Sequence, residues 1–435
     1  MGTHRETDKR DGRREHHMKN TASTASRSTA SRKGSGKQRA FPLSLLCLTI
    51  GAFAIGMTEF IIMGLLPNVA QDLGVSIPQA GQLITGYALG VAVGAPLLTV
   101  FTHKIQQKKL LVLLMCIFIA GNALSVVAPT YGLLISARIL TAFAHGTFLG
   151  VGSLMATRLV APERRAAAVS VVLAGLTIAN IVGVPFGTFI GQQLGWRASF
   201  GAITILGIVS LLGIIRFIPV LEQGAPANLG QQFRNLVRPQ VLLGLLVGAL
   251  GTGSLFVVFT YITPLLTDIS GFAEQSVTWI LVLFGVGVTL GNIVGGRLAD
   301  WKLMPSLVVN FGVLAAILAL LTLTIGNPIL GVATVFCWGV AAFGIMPGLQ
   351  IRIMNMTREA PLLATTSSHS AFNLGNAGGA YLGGLAITHT GLISVPLYGA
   401  AIAALGLLGL LLSVATERKK GLPETADGTE TVPVH

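Results

Sequence analysis

Residues 42–67 read PLSLLCLTIGAFAIGMTEFIIMGLLP, an apolar run in which Glu59 is the only charged side chain. About 20 predominantly apolar residues are enough for a helix to cross the hydrocarbon core of a bilayer. A carboxylate is costly there, and an ionisable residue inside a membrane helix is a functional hypothesis by default. The stretch therefore predicts a transmembrane helix with Glu59 as its candidate functional residue.

The rest of the chain has the same apolar character. Its 435 residues are 52% hydrophobic and only 10% charged, with a mean hydropathy of +0.75, whereas about a quarter of the residues in a soluble protein are charged. Glycine, proline and charge clusters divide residues 41–417 into twelve apolar blocks. We therefore predict an all-α polytopic membrane protein with 12 transmembrane helices.

The motifs of several other protein classes are missing from the sequence. It contains no nucleotide-binding motif, metal-ligand cluster or nucleophile–base arrangement, so it predicts neither an ATP-driven pump nor an enzyme. We expect no cofactor and no metal, with a proton gradient as the energy source. The expected partners are a small-molecule substrate, protons and the lipid bilayer but no nucleic acid, and the protein is expected to be a monomer.

The basic residues are distributed unevenly. Eleven of the 29 lysines and arginines lie in residues 1–40, a Ser- and Thr-rich tail that we predict to be disordered; whether Met18 is the true start stays open. The loops on one side of the predicted membrane hold most of the others, whereas the opposite loops hold Arg197 alone. The positive-inside rule then places both termini in the cytoplasm, for a multi-pass protein of the bacterial cytoplasmic (inner) membrane. The basic loops contain Lys104, Lys108, Lys109, Arg158, Arg164, Arg165, Arg216, Arg234, Arg238, Arg297, Lys302, Arg352 and Arg358.

The two parts of the chain repeat each other. A shift of 197 residues places Pro67 on Pro264 and Gly74 on Gly271, and it aligns two further glycine pairs. Parallel repeats are an architecture of transporters that alternate access around a midplane site. The predicted organisation is a cytoplasmic tail (1–40), a six-helix half (41–220), a cytoplasmic linker (221–239), a second six-helix half (240–417) and a cytoplasmic tail (418–435).

Four stretches carry a family resemblance. GGRLADWKL (295–303), with Gly296 and Asp300, resembles the loop signature of the major facilitator superfamily. The equivalent first-half loop, VFTHKIQQKK (100–109), keeps Lys108 and Lys109 but has Lys104 in place of the aspartate. ARILTAFAHG (137–146) resembles the fourth-helix signature. GVPFGTFIG (183–191) resembles the antiporter-associated fifth-helix signature, with Gly183, Pro185, Gly187 and Gly191.

Five stretches together make the chain similar to the twelve-helix drug:proton antiporter branch of that superfamily: GMTEFIIMGLLP, ANIVGVPFG, GWR (195–197), FTYITPLL and SAFNLGNAGGAYLGG. Within the branch it resembles the arabinose-efflux-permease-like and chloramphenicol-resistance-like exporters. The resemblance implies the major facilitator fold and secondary active transport. It also implies gating at the loop signatures and a central cavity lined by helices 1, 4, 7 and 10.

Glu59 and Arg138 are the two full charges well inside predicted helices. At 1.5 Å per residue, Glu59 lies about 12 Å and Arg138 about 10 Å below the same membrane surface. We therefore expect a contact between them, either a static structural salt bridge or a proton-coupling site. Desolvation and a neighbouring guanidinium act on a carboxylate in opposite directions, so such a group can change protonation as the cavity alternates. Arg138 cannot carry the proton because arginine stays charged.

Other residues are candidates for the cavity wall. His145, two turns beyond Arg138, is either a packing residue or a hydrogen bonder and proton relay. The intramembrane asparagines either join helices or contact substrate; they are Asn180, Asn292, Asn373 and Asn376. Phe256, Phe259, Tyr261 and Trp338 are candidates for an aromatic wall.

We thus predict proton-coupled export of a small organic compound, drug-like or metabolite, by alternating access, with Glu59 carrying or gating the proton. A sugar or nucleoside exporter of the same fold is the first alternative, because such a site needs several hydrogen-bonding side chains around an aromatic ring. A non-transporting receptor or scaffold is the remote alternative, since the linker and tails offer no receiver or catalytic domain.

Overall fold

The chain is described over residues 43–102, 104–221, 238–357 and 361–419 in a computed structural model. Within these ranges the elements are helices and no β-strand is present. The predicted tail 1–40 and most of the predicted linker 221–239 and tail 418–435 lie outside the described residues, so those boundaries stay predictions.

Twelve long helices follow one another along the described chain, and four of them consist of more than one segment. They are α1 (Leu43–Gly64, continued by Leu66–Asp72), α2 (Ile77–Thr102), α3 (Gln107–Val126), α4 (Tyr131–Arg158), α5 (Arg165–Ile178, a π-turn Ala179–Gly183 and Val184–Leu194), α6 (Trp196–Phe217), α7 (Pro239–Phe259, continued by Ile262–Pro264 and a π-turn Leu265–Ile269), α8 (Glu274–Trp301), α9 (Leu303–Thr324), α10 (Pro328–Gly344 and Met346–Met356), α11 (Pro361–Thr390) and α12 (Val395–Lys419). Short 3₁₀ turns precede α5 (Pro162–Arg164) and α12 (Leu392–Ser394).

Eleven of these helices are long and apolar enough to cross a membrane. The remaining one, α11, is a 30-residue helix that interrupts its apolar residues with histidine, asparagine, serine and threonine. Its length exceeds the roughly 20 residues that a bilayer requires. The predicted all-α membrane fold is confirmed, and α11 is its most polar member.

Prolines explain the breaks in α1 and α7. Pro67 has no N–H to donate to the carbonyl of Met63 four residues earlier, and α1 is interrupted at Leu65. The hydroxyl of Thr263 on the continuation of α7 donates to this carbonyl at 2.7 Å. Pro264 lies at the corresponding break in α7, so the sequence repeat is also a repeat of backbone irregularities.

The packing of the helices repeats as well. In the first six helices, α1 packs against α5 and α6, and α4 against α2 and α3; in the last six, α7 packs against α11 and α12, and α10 against α8 and α9. The two sets meet where α2 packs against α11 and α5 against α8.

Four glycines mark one end of the bundle. Gly74, Gly195, Gly271 and Gly391 have φ between 63° and 88°, a left-handed conformation that glycine adopts without a steric penalty. Each lies in the tight loop after an odd-numbered helix, at what we name the glycine-turn end. The opposite end, which contains Lys104, is named the basic end.

Candidate functional site

Glu59 lies in the interior of the bundle beside a histidine. Its carboxylate Oε2 is 3.8 Å from Nε2 of His145 on α4, and the two side chains are 12% and 6% exposed. The other ring nitrogen of His145, Nδ1, is 3.1 Å from the hydroxyl of Tyr87 on α2. Three helices thus bring a carboxylate, an imidazole and a phenol into one chain of polar contacts.

Arg138 belongs to the same cluster but contacts different atoms. Its guanidinium lies 4.3 Å from the ring centroid of Tyr87, and its Nη1 donates to the backbone carbonyl of Thr58. Among the described residues, no nitrogen of Arg138 comes within 4.0 Å of the Glu59 carboxylate, and its Nε and Nη2 have no hydrogen-bond partner. The expected direct contact is therefore replaced by a through-space interaction, with His145 next to Glu59.

An aromatic cluster lies next to this polar group. Phe259 stacks on Phe284 with ring centroids 4.7 Å apart, and Phe284 lies 4.8 Å from Trp338. Phe60, the residue after Glu59, lies 6.0 Å from Phe256 and 6.1 Å from Phe259. Helices α1, α7, α8 and α10 thus contribute to one aromatic cluster, which α1 joins through the residue that follows Glu59.

Two of the predicted cavity residues have different surroundings. The Tyr261 hydroxyl donates to the Ala380 carbonyl at 2.9 Å, so its buried ring packs between α7 and α11 rather than with the aromatic cluster. Asn373 is buried on α11, where its Nδ2 donates to the carbonyl of His369 at 2.9 Å.

The fifth-helix motif brings α5 close to α1. A Cβ at Gly183 would lie 2.5 Å from Met57, and Cβ atoms at Gly187 and Gly191 would likewise collide with side chains of α1. The π-turn Ala179–Gly183 ends two residues before Pro185, whose ring would clash with the preceding turn of a regular α-helix. The motif therefore allows close packing of α1, the helix that carries Glu59.

In the second-half loop motif, the close contact is made by the first of the two glycines. A Cβ at Gly295 would collide with the carbonyl of Gly344 on α10, whereas a Cβ at Gly296 would meet nothing within 4 Å. Asp300 is exposed at the basic end and forms no ion pair within the described residues.

The first-half loop carries its lysines at the basic end. Lys108 donates to the carbonyl of Ile215 on α6 at 2.9 Å. Lys104 and Lys109 are exposed.

Hydrogen bonds join the two sets of helices at the glycine-turn end. Besides the Thr263–Met63 bond, Nδ2 of Asn68 donates to Glu274 at 3.2 Å, and Nε2 of Gln192 donates to the Glu274 carbonyl at 2.8 Å. Thr278 donates to Gln192 at 3.2 Å. These four bonds tie the two sets of helices together at this end and hold it closed.

Several residues of the interior were not predicted from the sequence. Tyr87, Phe60 and Phe284 contact the predicted site residues, and the carbonyl of His369 on α11 accepts a hydrogen bond from Asn373. The polar spacing of His369 and Asn373, four residues apart, was the available signal. Nothing in the apolar blocks singled out Tyr87, Phe60 or Phe284.

Comparison with known proteins identifies the family. Residues 48–365 match the family model of the Major Facilitator Superfamily. The chain belongs to that superfamily. It is therefore a multi-pass membrane protein of a transporter family and not an enzyme, as the sequence predicted.

Individual relatives agree with this assignment. The chain is 43% identical to the inner membrane transport protein YdhP of Escherichia coli K12, over 88% of this chain and 97% of that one. It is 32% identical to the chloramphenicol resistance protein of Streptomyces lividans, over 86% and 94% of the two chains. The fold also matches the crystal structure of a bacterial homologue of the human lysosomal transporter Spinster in an inward-facing, unoccupied conformation, with a TM-score of 0.65 and 15% identity over 90% of this chain and 98% of that one.

Proposed function

We propose that this superfamily member exports a small organic compound in exchange for protons, from the cytoplasmic membrane of a bacterium with both termini inside. The observation that carries the proposal is Glu59. Among the described residues it is the one acidic side chain far from a helix end, and it contacts a second ionisable side chain, His145. A carboxylate in that position is costly for a fold to keep, which is consistent with a role in coupling.

Glu59 is the proton carrier in this proposal. A Tyr87 hydroxyl that donates to Nδ1 of His145 leaves the ring proton on Nε2, the atom that faces the carboxylate. Neutral His145 then stabilises the ionised form of Glu59 without adding a net charge.

Arg138 is the proposed partner of the deprotonated Glu59 carboxylate. Its unpartnered Nε and Nη2 groups can pair with the carboxylate after a small rearrangement of α1 against α4. Protonation of Glu59 removes the reason for that pairing, so the protonation state of one residue biases the packing of two helices. Because one chain contains all these groups, we take the monomer as the transporting unit.

The alternation itself follows from the closed glycine-turn end. The Asn68–Glu274, Gln192–Glu274, Gln192–Thr278 and Met63–Thr263 bonds must break for that end to open, while the basic end closes. With the basic end in the cytoplasm, the described state would be the one that receives substrate from inside. The names of the relatives, an inner membrane transport protein and a chloramphenicol resistance protein, support a membrane exporter and suggest chloramphenicol as a first compound to test.

The test compares Glu59→Gln with wild type. Substrates are found by expressing the gene in an efflux-deficient host and screening drugs, sugars and nucleosides. Purified protein in liposomes is then assayed for substrate-dependent proton movement with an enclosed pH dye. The amide keeps the shape of the side chain but cannot titrate, so Glu59→Gln should abolish coupled export while the protein remains inserted.

Glu163→Gln is the matched control, because it makes the same substitution on an exposed 3₁₀ turn. It should transport like wild type. Undiminished, pH-gradient-dependent export by Glu59→Gln would refute the proposal.

A further inference from the structure

Helix α11 carries a row of polar side chains, His369, Asn373 and Asn376, which we name the α11 stripe. With 3.6 residues per turn, the three side chains point within about 60° of one another. Asn373 and Asn376 are 7% and 6% exposed. The two asparagines of the stripe are therefore buried polar residues on the helix that is the least apolar of the twelve.

The neighbours of α11 show that the stripe faces the bundle interior. Gly375 and Gly379 lie on the side that packs on α7, where a Cβ at either would collide with the α7 backbone. Leu374 and Tyr381, on another side, are 56% and 48% exposed. The stripe lies between the α7-facing side and the side that contacts α2, away from the exposed surface.

Hydrogen-bond acceptors in the stripe are unused. Asn373 donates its amide Nδ2 to the His369 carbonyl, and this bond fixes the orientation of the amide. Its Oδ1 and the Oδ1 of Asn376 are buried and have no partner among the described residues. Since more than 90% of buried polar groups in proteins are paired, two free acceptors on one face need a donor.

A structural asparagine in the same protein shows the contrast. The Oδ1 of Asn122 on α3 accepts from the hydroxyl of Thr58 on α1 at 2.7 Å, and its Nδ2 donates to the Phe118 carbonyl at 2.9 Å. That amide joins two helices and uses both ends. Asn373 bonds only its own helix, so helix–helix attachment does not account for it.

The stripe faces the same interior space as the rest of the candidate site. α11 packs against α7, which carries Phe256 and Phe259, and it also contacts α4, which carries His145, the partner of Glu59. The aromatic cluster contributes Trp338, whose buried Nε1 also lacks a partner among the described residues. Helices in contact with one another thus carry the apolar rings and the unused polar atoms.

We propose that the α11 stripe is the specificity-determining surface of this site and recognises an aromatic compound that bears hydroxyl or amino groups. The aromatic cluster packs against the ring of such a compound. Its O–H or N–H groups donate to the Oδ1 atoms of Asn373 and Asn376. The inference rests on the proposed function only in taking the interior site as the substrate site.

The physical basis is the cost of leaving acceptors unpaired. A ligand without donors buries both amide oxygens without compensation, whereas a ligand with donors satisfies them. One net hydrogen bond corresponds to about a tenfold difference in affinity. The stripe should therefore discriminate between compounds that share a ring system and differ in their donors.

The experiment measures binding of matched compounds to the purified full-length protein. Chloramphenicol is compared with its 1,3-diacetate, and 4-nitrophenyl β-D-galactoside with its tetraacetate, because acetylation removes the hydroxyl donors and keeps the ring. Quenching of tryptophan fluorescence reports binding, since Trp338 lies in the aromatic cluster. Wild type should bind at least one free hydroxyl compound about tenfold more tightly than its acetate.

Asn373→Leu and Asn376→Leu should each weaken binding of the preferred hydroxyl compound about tenfold and leave binding of its acetate unchanged. Asn310→Leu is the matched control, because Asn310 lies on α9 and donates to the Gly344 carbonyl away from the site; it should retain the wild-type ratio. Using two stripe variants guards against a folding defect in one, and circular dichroism checks both.

Three results would overturn the inference: equal binding of hydroxyl compound and acetate by wild type, an unchanged ratio in both stripe variants, or no binding of either pair. Binding is measured at one pH without a gradient, so it does not depend on proton coupling. If the protein shows the expected selectivity but moves no protons, only the proposed function is refuted. If it shows proton-coupled export but lacks this selectivity, only the inference about the α11 stripe is refuted.

Discussion

Arg352 and Glu417 form a buried ion pair at the basic end that provides a quantitative test of the structure. Nη2 of Arg352 on α10 lies 2.9 Å from Oε1 of Glu417 on α12, with side chains 1% and 11% exposed. The same nitrogen donates to Ser413 at 2.7 Å, and Nη1 contacts the sulfur of Met304 on α9. One guanidinium thus joins three helices.

We expect Glu417→Gln to destabilise the protein strongly. Removing one partner of a buried pair leaves an uncompensated charge and costs about 3–5 kcal/mol. The Ser413 bond persists and Glu417 retains some solvent contact, so the lower end, about 3 kcal/mol, is the expected loss. The double change Arg352→Met with Glu417→Leu removes both charges, and it should return to within about 1 kcal/mol of wild type because the desolvation cost of both ions disappears.

Unfolding in mixed micelles with increasing dodecyl sulfate measures these differences, followed by tryptophan fluorescence and circular dichroism. A thiol-reactive dye is unsuitable because Cys116 and Cys337 are exposed in the folded protein. A loss below about 1 kcal/mol for Glu417→Gln, the value typical of an exposed pair, would contradict the burial described here. A double variant less stable than either single variant would contradict the charge argument.

Two further predictions concern packing and pH. Gly291→Ala should destabilise the protein because its Cβ would collide with the Val340 carbonyl. Gly296→Ala should be neutral or slightly stabilising because a Cβ there meets nothing within 4 Å. Thermal unfolding in detergent measures both variants, and equal effects would refute the α8–α10 contact. Asp72 lies outside the membrane spans and accepts hydrogen bonds from Arg197 and Trp196. These bonds, chiefly the one from Arg197, hold the pKa of its carboxyl below its ordinary value of 3.8. The pair therefore stabilises the fold above that pH and the stabilisation is lost as pH falls through the folded-state value. At pH 7, Asp72→Asn should lower the unfolding temperature, and the free energy of unfolding should fall by less than about 1 kcal/mol. At a pH low enough to protonate wild-type Asp72, the substitution should have no effect. A loss of stability that persists in acid would refute this prediction.

Much of the site followed from single residues in unusual surroundings. Glu59 and Arg138 stood out because charges are rare inside apolar blocks, and His145 because it follows Arg138 at helical spacing. Phe256, Phe259 and Trp338 were predicted as an aromatic wall and do pack together. Tyr261 was predicted with them but bonds Ala380 instead, because the break that follows α7 carries it towards α11.

Arg352 shows the opposite failure of sequence reasoning. Its position near a predicted loop placed it among the basic residues of the loops, yet it is buried against Glu417. The two residues are far apart in sequence, and only the packing of α10 on α12 brings them together. A charge near a helix end looks the same in the sequence whether it faces water or another helix.

The sequence by itself determined the helical membrane fold, the repeat and the family, because bilayer crossing demands long apolar blocks and each block is a local property of the chain. The tertiary structure decided which polar atoms meet. It placed His145 rather than Arg138 next to Glu59, moved Arg138 onto Tyr87, and left acceptors of Asn373 and Asn376 unused. These pairings depend on helix rotation and on close approach at glycines such as Gly183 and Gly187, which sequence spacing alone does not specify.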